Sequence, residues 1–337
     1  MKRKMPAESP CIFRFPYFLV PALIVVLGFV LYACGSNCDP ASTSSSTQAS
    51  VAVEMVLIPG GTFTMGSPST EPNRFGTAPA PADTRENQHP ATVSPFYIGK
   101  YEVTQEQWEA VMGIRANKST FFDFKRPVEN VTWFDAVQFC NKLSQINGLA
   151  PVYTITNIVS PFGSISSAVV TADWTKKGYR LPTDTEWECA CRGDKNNPLA
   201  ARAFAVGDGN KMIPGIANFN TQYPYDASAG GETDAGTAGT AARVMSTTTV
   251  GTYAPNSYGL YDMHGNVAEW CWDVGSSTIS SVSDYRGPAT STPETAFRVF
   301  RGGGWMDKGQ YVRSAVRQWR TPAYYGSDQG FRLARSQ

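Results

Sequence analysis

Few residues in this 337-residue chain have both the type and the spacing for chemistry. Asp262 and Glu269 stand seven apart around the turn Asp262-Met263-His264-Gly265-Asn266-Val267-Ala268-Glu269-Trp270. Two carboxylates and the carbonyls of a tight turn can offer oxygen donors to a hard cation such as Ca²⁺. Equally, the carboxylates can accept the backbone amides of a purely structural turn. With 2 histidines the chain has too few for a three-histidine metal site. His89 and His264 read as surface or hydrogen-bonded side chains, not acid–base groups. Of the 7 cysteines, Cys189 and Cys191 lie two apart in a helical pattern and face different sides. With Cys140 and Cys271 they read as buried thiols, not a disulfide framework. Asp184 and Glu186 fall where a helix N-terminus favours carboxylates, so no acid–base pair is needed to explain them. Gly302-Gly303-Gly304 follows a strand pattern but lacks the GK[ST] or GxGxxG spacing that cradles phosphate. No catalytic residue and no catalytic cofactor is assigned.

Three capped helices and many short strands must position these groups. Thr104 and Gln107 form a capping box, Trp108, Val111 and Met112 make an apolar stripe, and Gly113 stops the helix. A second helix opens at Thr132 to Asp135, buries Ala136, Phe139, Cys140 and Leu143, and ends before Gly148. Thr183 and Glu186 cap a third, which runs to Gly193. Met55 to Ser67 reads as a β-hairpin turning at Pro59-Gly60-Gly61, and Phe96 to Glu102 as a strand. From Asp194 to Gly251 the Gly-, Ala-, Thr- and Asn-rich chain predicts long loops with isolated strands. Gly330 to Ala334 alternates apolar and polar residues like a half-buried strand. The fold class is α+β, loop-rich, with few helices.

Composition limits the function. The 29 Lys plus Arg against 28 Asp plus Glu leave a net charge of +1, which gives no basic field for nucleic acid. Lys2, Arg3, Lys4 and Arg14 precede an uncharged run from Phe15 to Ala33, the pattern of a secretory signal. That run ends Leu31-Tyr32-Ala33-Cys34, which resembles a bacterial lipobox with Cys34 as the lipidated residue. The domain expectation is a signal peptide over 1–33, a Ser/Thr-rich tether over 34–50 and one domain over 51–337. A monomer held by its lipid at the bacterial envelope, at the outer membrane or cell surface, is expected.

Seven ordered blocks carry a resemblance: MVLIPGGTFTMGS, FYIGKYEVTQEQWEAVMG, PVENVTWFDAVQFCNKL, YRLPTDTEWECACRG, NSYGLYDMHGNVAEWCWD, RVFRGGGWM and GFRLA. Together they resemble the formylglycine-generating enzyme (sulfatase-modifying factor) family over about residues 52 to 335. The resemblance implies a C-type lectin fold of the formylglycine-generating subtype. It also implies a structural Ca²⁺ at the side chains of Asp262 and Glu269 with the carbonyls of Gly265 and Val267. A weaker site is implied at Asn218, Phe219 and Asp234. The family's enzymes oxidise a substrate cysteine through copper held by two cysteines. Those positions carry Asp307 and Val312 here, neither of which replaces a thiolate.

Another branch of the family is made of the variable proteins of diversity-generating retroelements, and a lipidated body of this length looks like the treponemal members. There a C-terminal stretch is rewritten by adenine-directed mutation and binds ligand. The matching segment is about 305–329, between framework pieces at Arg301 to Trp305, Arg313-Ser314-Ala315, Arg317 and Gly330-Phe331-Arg332. Its candidate ligand-binding residues are Trp305, Met306, Asp307, Lys308, Gln310, Tyr311, Val316, Gln318, Trp319, Arg320, Ala323, Tyr324, Tyr325, Ser327 and Asp328. Stiff aromatics mixed with directional polar groups and no strand or helix period suit a recognition surface. The expected partner is a protein or glycan; an enzyme of the formylglycine-generating type with changed chemistry is the alternative.

Overall fold

The computed structural model describes residues 50–75, 84–161, 163–194, 196, 198–233, 244–276, 283–287 and 296–337. The N-terminal apolar run, Cys34, the tether up to residue 49 and Asp234 lie outside the described residues. Among the described residues no helix is long and apolar enough to cross a membrane. Residues Gln48–Gln337 form one compact unit, loop-rich, with three α-helices and short strands among its described residues.

The helices form where local sequence closes their ends. α1 (Gln105–Met112), α2 (Trp133–Ile146) and α3 (Asp184–Arg192) each open with a reciprocal capping box. In every case the threonine hydroxyl accepts the amide three residues on, and that residue's side chain accepts the threonine amide. Two of the four orphan donors of each helix are thus satisfied locally. α1 and α2 then bury their apolar stripes together. Trp108 stacks on Phe139 at 5.4 Å, and Phe331 meets the face of Phe139 edge-on at 5.4 Å.

Met55 to Ser67 is a corner and not a hairpin. Strand Met55–Ile58 pairs antiparallel with Phe96–Gly99, whereas Gly61–Met65 pairs with His89–Val93 in a separate sheet. Gly60 has φ 72°, and a Cβ there would lie 2.5 Å from the Val93 carbonyl oxygen. The corner is pressed against the link between the two partner strands, so each strand finds a distant mate. Ala334–Ser336 lies between Phe96–Gly99 and Tyr179–Arg180 and completes a four-stranded antiparallel sheet. A second four-stranded sheet runs Gln318–Arg320, Arg298–Arg301, Ala268–Val274, Gln329–Gly330, its last pair parallel.

The last strand also differs from its alternating pattern. Pairing is confined to Gln329–Gly330 and Ala334–Ser336, and Phe331, Arg332 and Leu333 are all buried. Arg332 turns inward because Glu269 meets it there, with Nε and Nη2 each 2.6 Å from a carboxylate oxygen.

Three more arginines of the C-terminal region are buried in the same way. Arg301 pairs with Asp184 at 2.7 Å and with Glu188, and Arg317 pairs with the same Asp184 at 2.5 Å. Arg313 pairs with Glu86 at 2.9 Å and with Glu71. Asp184 therefore does more than favour a helix dipole, and Glu186 is likewise tied to Arg180 at 2.6 Å. Removing one partner of such a pair strands a charge in the interior, which costs far more than the pair contributes net. Arg332→Met should therefore lower unfolding free energy by about 3–5 kcal/mol, and the double variant Arg332→Met/Glu269→Leu should recover most of it. Urea unfolding checks this; a single-variant loss below about 1 kcal/mol would show the pair to be dispensable.

Candidate ligand-binding face

The C-terminal segment leaves strand Arg298–Arg301 through the triple glycine. A Cβ on Gly303 would lie 2.8 Å from the Val312 side chain, and one on Gly304 would lie 3.0 Å from Asp328. Gly303 also has φ 65° and the Tyr311 carbonyl oxygen 3.0 Å from where its Cβ would stand, so glycine is required at that position. The chain then rises to the surface between its arginine anchors.

Most of the expected binding residues lie at or near that surface. Met306 is 41% exposed and Tyr325 60%. Lys308, Gln310, Tyr311, Gln318, Trp319, Arg320, Ala323, Tyr324 and Ser327 are half-buried. Lys308 pairs with Glu232 at 3.0 Å and lies over the Tyr223 ring at 4.2 Å. Tyr311 stacks near Phe75 at 6.2 Å, and the Arg85 guanidinium bridges the rings of Phe75 and Trp319 at 4.4 and 4.1 Å. Arg320 lies over Tyr324 at 4.2 Å, bonds Gln329 at 3.1 Å and pairs with Asp328 at 3.2 Å. These contacts restrict the rings within the protein itself, the kind of preorganisation that lowers the entropy lost when a surface binds.

Three expected contact residues are buried. Val316 is 3% exposed and packs inward, its carbonyl accepting from Arg301 and the next residue, Arg317, turning into the core to Asp184. Asp328 is 5% exposed and committed to Arg320. Trp305 is 7% exposed; its indole donates to the Ser327 carbonyl at 2.9 Å and meets Phe121 edge-on at 5.4 Å. Asp307, half-buried, turns its carboxylate back to accept the Gly304 amide at 2.9 Å.

Phe121 brings a second loop to the face. Phe122 and Phe124 are 64% and 51% exposed and pack edge to face at 5.3 Å. Phe121-Phe122-Asp123-Phe124 has no helix or strand period, so periodicity misses it. Three aromatic rings in four residues shortly before Pro127 are the signal that marks it. Glu129 holds this loop: its Oε1 accepts the amides of Thr120 and Phe121, the latter at 2.9 Å, and its Oε2 accepts Asn130 Nδ2 at 2.6 Å.

The carboxylates of the glycine turn find partners within the protein. Glu269 accepts Arg332 through both oxygens and also the Trp187 indole at 2.6 Å. Asp262, at φ 57°, accepts the Gly251 amide at 2.6 Å, and burial lifts its carboxyl to about 6. Gly265 and Val267 donate their amides to Gly302 at 2.9 Å and to Glu102 at 3.1 Å. Glu269 is neutralised by Arg332 and Asp262 accepts the Gly251 amide, so both carboxylates have partners within the protein. Asn218 differs. Its Oδ1 is buried with no hydrogen-bond partner, while Nδ2 donates to Ser246 at 3.0 Å and Asn266 at 3.2 Å. A buried orphan oxygen, on the residue next to Phe219 in sequence, fits a hard cation.

His264 is buried: Nδ1 bonds the Val312 carbonyl at 2.7 Å, Nε2 accepts the Ala205 amide at 3.1 Å, and burial lowers its value to about 4. Cys191 lies 3.8 Å from His264 Nε2, but burial pushes that thiol up to about 12, so the two form no nucleophile pair. Cys140, Cys189, Cys191 and Cys271 are all free and buried.

Burial raises the Glu129 carboxyl to about 7 from an ordinary 4.5, helped by Asp328 and opposed by the two amides. Between those values the folded chain holds a proton that the unfolded chain has lost. Glu129 thus favours the fold most at low pH, and its contribution disappears as pH rises through about 7. Urea unfolding at intervals from about pH 5 to about pH 8 should show a shallower fall in stability for Glu129→Gln than for the wild type. Identical slopes would remove Glu129 as the titrating group.

Comparison with known proteins places this geometry. The family model described as "Sulfatase-modifying factor enzyme 1-like domain" matches residues 41–337. The chain is 32% identical to the chaperone protein LppX of Paenibacillus barcinonensis, covering 91% of this chain and 98% of that protein. It is 30% identical to the formylglycine-generating enzyme of Streptomyces coelicolor, covering 90% and 94%. Among solved structures it resembles Treponema denticola variable protein 1 with a TM-score of 0.64 and 31% identity, covering 86% of this chain and 97% of that one. The chain belongs to the sulfatase-modifying factor enzyme 1-like domain family, which includes the formylglycine-generating enzymes.

Proposed function

We propose that this is a ligand-binding protein whose segment over about 305–329 forms a changeable face on a C-type lectin scaffold, diversified by a retroelement. One observation carries the reading. Arg301, Arg313, Arg317 and Arg332 point inward to fixed carboxylates, while Met306, Lys308, Tyr311, Trp319, Tyr324 and Tyr325 between them reach the surface. Side chains on such a face can change without disturbing what holds it. Similarity to the treponemal variable protein over most of both chains supports the same reading. The ligand is a protein or glycan, and the chaperone relative favours a polypeptide. The protein acts as a monomer anchored at the cell envelope through lipid on Cys34, and it does not bind nucleic acid.

Copper-dependent formylglycine synthesis does not suit these residues. Cuprous ion needs thiolates, and the two positions carry Asp307, bonded to its own glycine turn, and Val312, fully buried. Calcium, where bound, belongs at Asn218 and Phe219, and its contribution is to hold the surrounding loops.

Three outcomes are expected. On glycan and surface-protein arrays, Met306→Ser/Tyr325→Ser should lose at least about tenfold in binding with a melting shift under about 2 °C. Unchanged binding would move the site elsewhere. A sulfatase-motif peptide incubated with the protein, copper and oxygen should yield no aldehyde; aldehyde formation would reinstate the enzyme. Chelator should lower the melting temperature by a few degrees in the wild type and leave Asn218→Ala unaffected, and equal responses would remove the ion from Asn218.

A further inference from the structure

A cavity of about 580 Å³ opens away from the variable segment, lined on one side by Thr62, Phe63 and Thr64. Its other side is formed by Cys189, Arg192, Gly193 and Tyr258. The hydrogen-bond register of strand Gly61–Met65 determines what faces it. Thr64 lies opposite Pro90, which has no N–H, so that pair is of the non-hydrogen-bonded kind. Alternation puts Thr62, opposite Thr92, in the same class. The outer edge of the partner strand confirms this parity, since the Thr92 carbonyl points outward and accepts the Asp284 amide at 2.9 Å. The amides and carbonyls of Thr62 and Thr64 therefore point away from their sheet.

Gly66 continues the same edge and is already served. Its amide donates to Glu188 at 2.7 Å and its carbonyl accepts from Arg192 at 2.7 Å. One side-chain ion pair on α3 thus stands where a neighbouring strand would be. Two residues back the α3 helix has ended and no such partner follows among the described residues. This stretch of edge carries no lysine, proline or bulge of the kind that blocks strand addition.

We propose that an extended peptide adds as a strand to the Thr62–Thr64 edge, with an uncharged peptide side chain seated against Cys189 and Tyr258. An uncharged side chain fits because Arg192 is spent on Glu188, Gly66 and the Ala200 carbonyl at 3.1 Å. Main-chain pairing supplies the affinity and the cavity the selectivity.

The test uses the full chain and a phage-displayed random heptapeptide library. Recovered peptides should slow amide exchange at Thr62 and Thr64 by at least about tenfold and leave the 305–329 amides unchanged. They should bind Thr64→Pro at least about tenfold more weakly, because proline is tolerated at an outward edge position but removes the donor. Cys189→Phe fills the cavity from the helix side, keeps the strand intact and should weaken binding similarly, which guards against misfolding of the proline variant. Peptides that bind both variants normally, protection confined to 305–329, or no enriched peptide would overturn the proposal. So would sedimentation showing that the edge instead pairs two copies of this chain.

Discussion

The buried guanidinium–carboxylate pair is the interaction on which this structure rests. A long segment with little regular structure cannot be held by ladders of backbone hydrogen bonds, and an apolar residue every few positions would bury it without fixing its path. Arginine does both. Its stem packs, its planar fork accepts only a narrow geometry, and it cannot escape burial by losing its proton. Arg301, Arg313, Arg317 and Arg332 give the segment four fixed points, and the loops between them are free to carry surface chemistry.

The other half of each pair lies on elements distant in sequence. Asp184 and Glu188 lie on α3, one at its first residue and one a turn later, and together with Arg192 they gather two sheets around that helix. Burial alone would push the Glu188 carboxyl up, but Arg192 and Arg301 outweigh it and hold it at about 2. Glu71 and Glu86 reach Arg313 from the first part of the domain, and Glu269 reaches Arg332 from the central strand of the second sheet. The proposed binding face is thereby tied to the scaffold from several directions. A second tier of contacts, the cation–π stacks of Arg85 and Arg320, orders the rings at the surface itself.

How much of this was legible in the sequence depended on how local the cause is. The capping boxes at Thr104, Thr132 and Thr183 lie within four residues each, and all three helices follow from them. The strands after Met55 do not form a hairpin because their partners, Phe96–Gly99 and His89–Val93, lie far along the chain, beyond what a turn signal encodes. Arg332 was misjudged for a related reason: alternation assigns a charged residue to solvent unless its buried partner is known. The outward placement of Tyr325 follows from the lack of period around it, whereas Trp319 lies in the short strand Gln318–Arg320 and Tyr324 is half-buried. The aromatic loop at Phe121 meets the face at Trp305, a contact that no spacing foretells.

The central claim is that the face is mechanically separate from what holds it. Two libraries displayed on yeast and sorted for protease resistance test it directly. One randomises positions 306, 308, 311, 319, 324 and 325; the other randomises 301, 313, 317 and 332. Most members of the first should stay folded, and nearly all survivors of the second should have restored arginine. Equal tolerance in the two libraries would contradict the account.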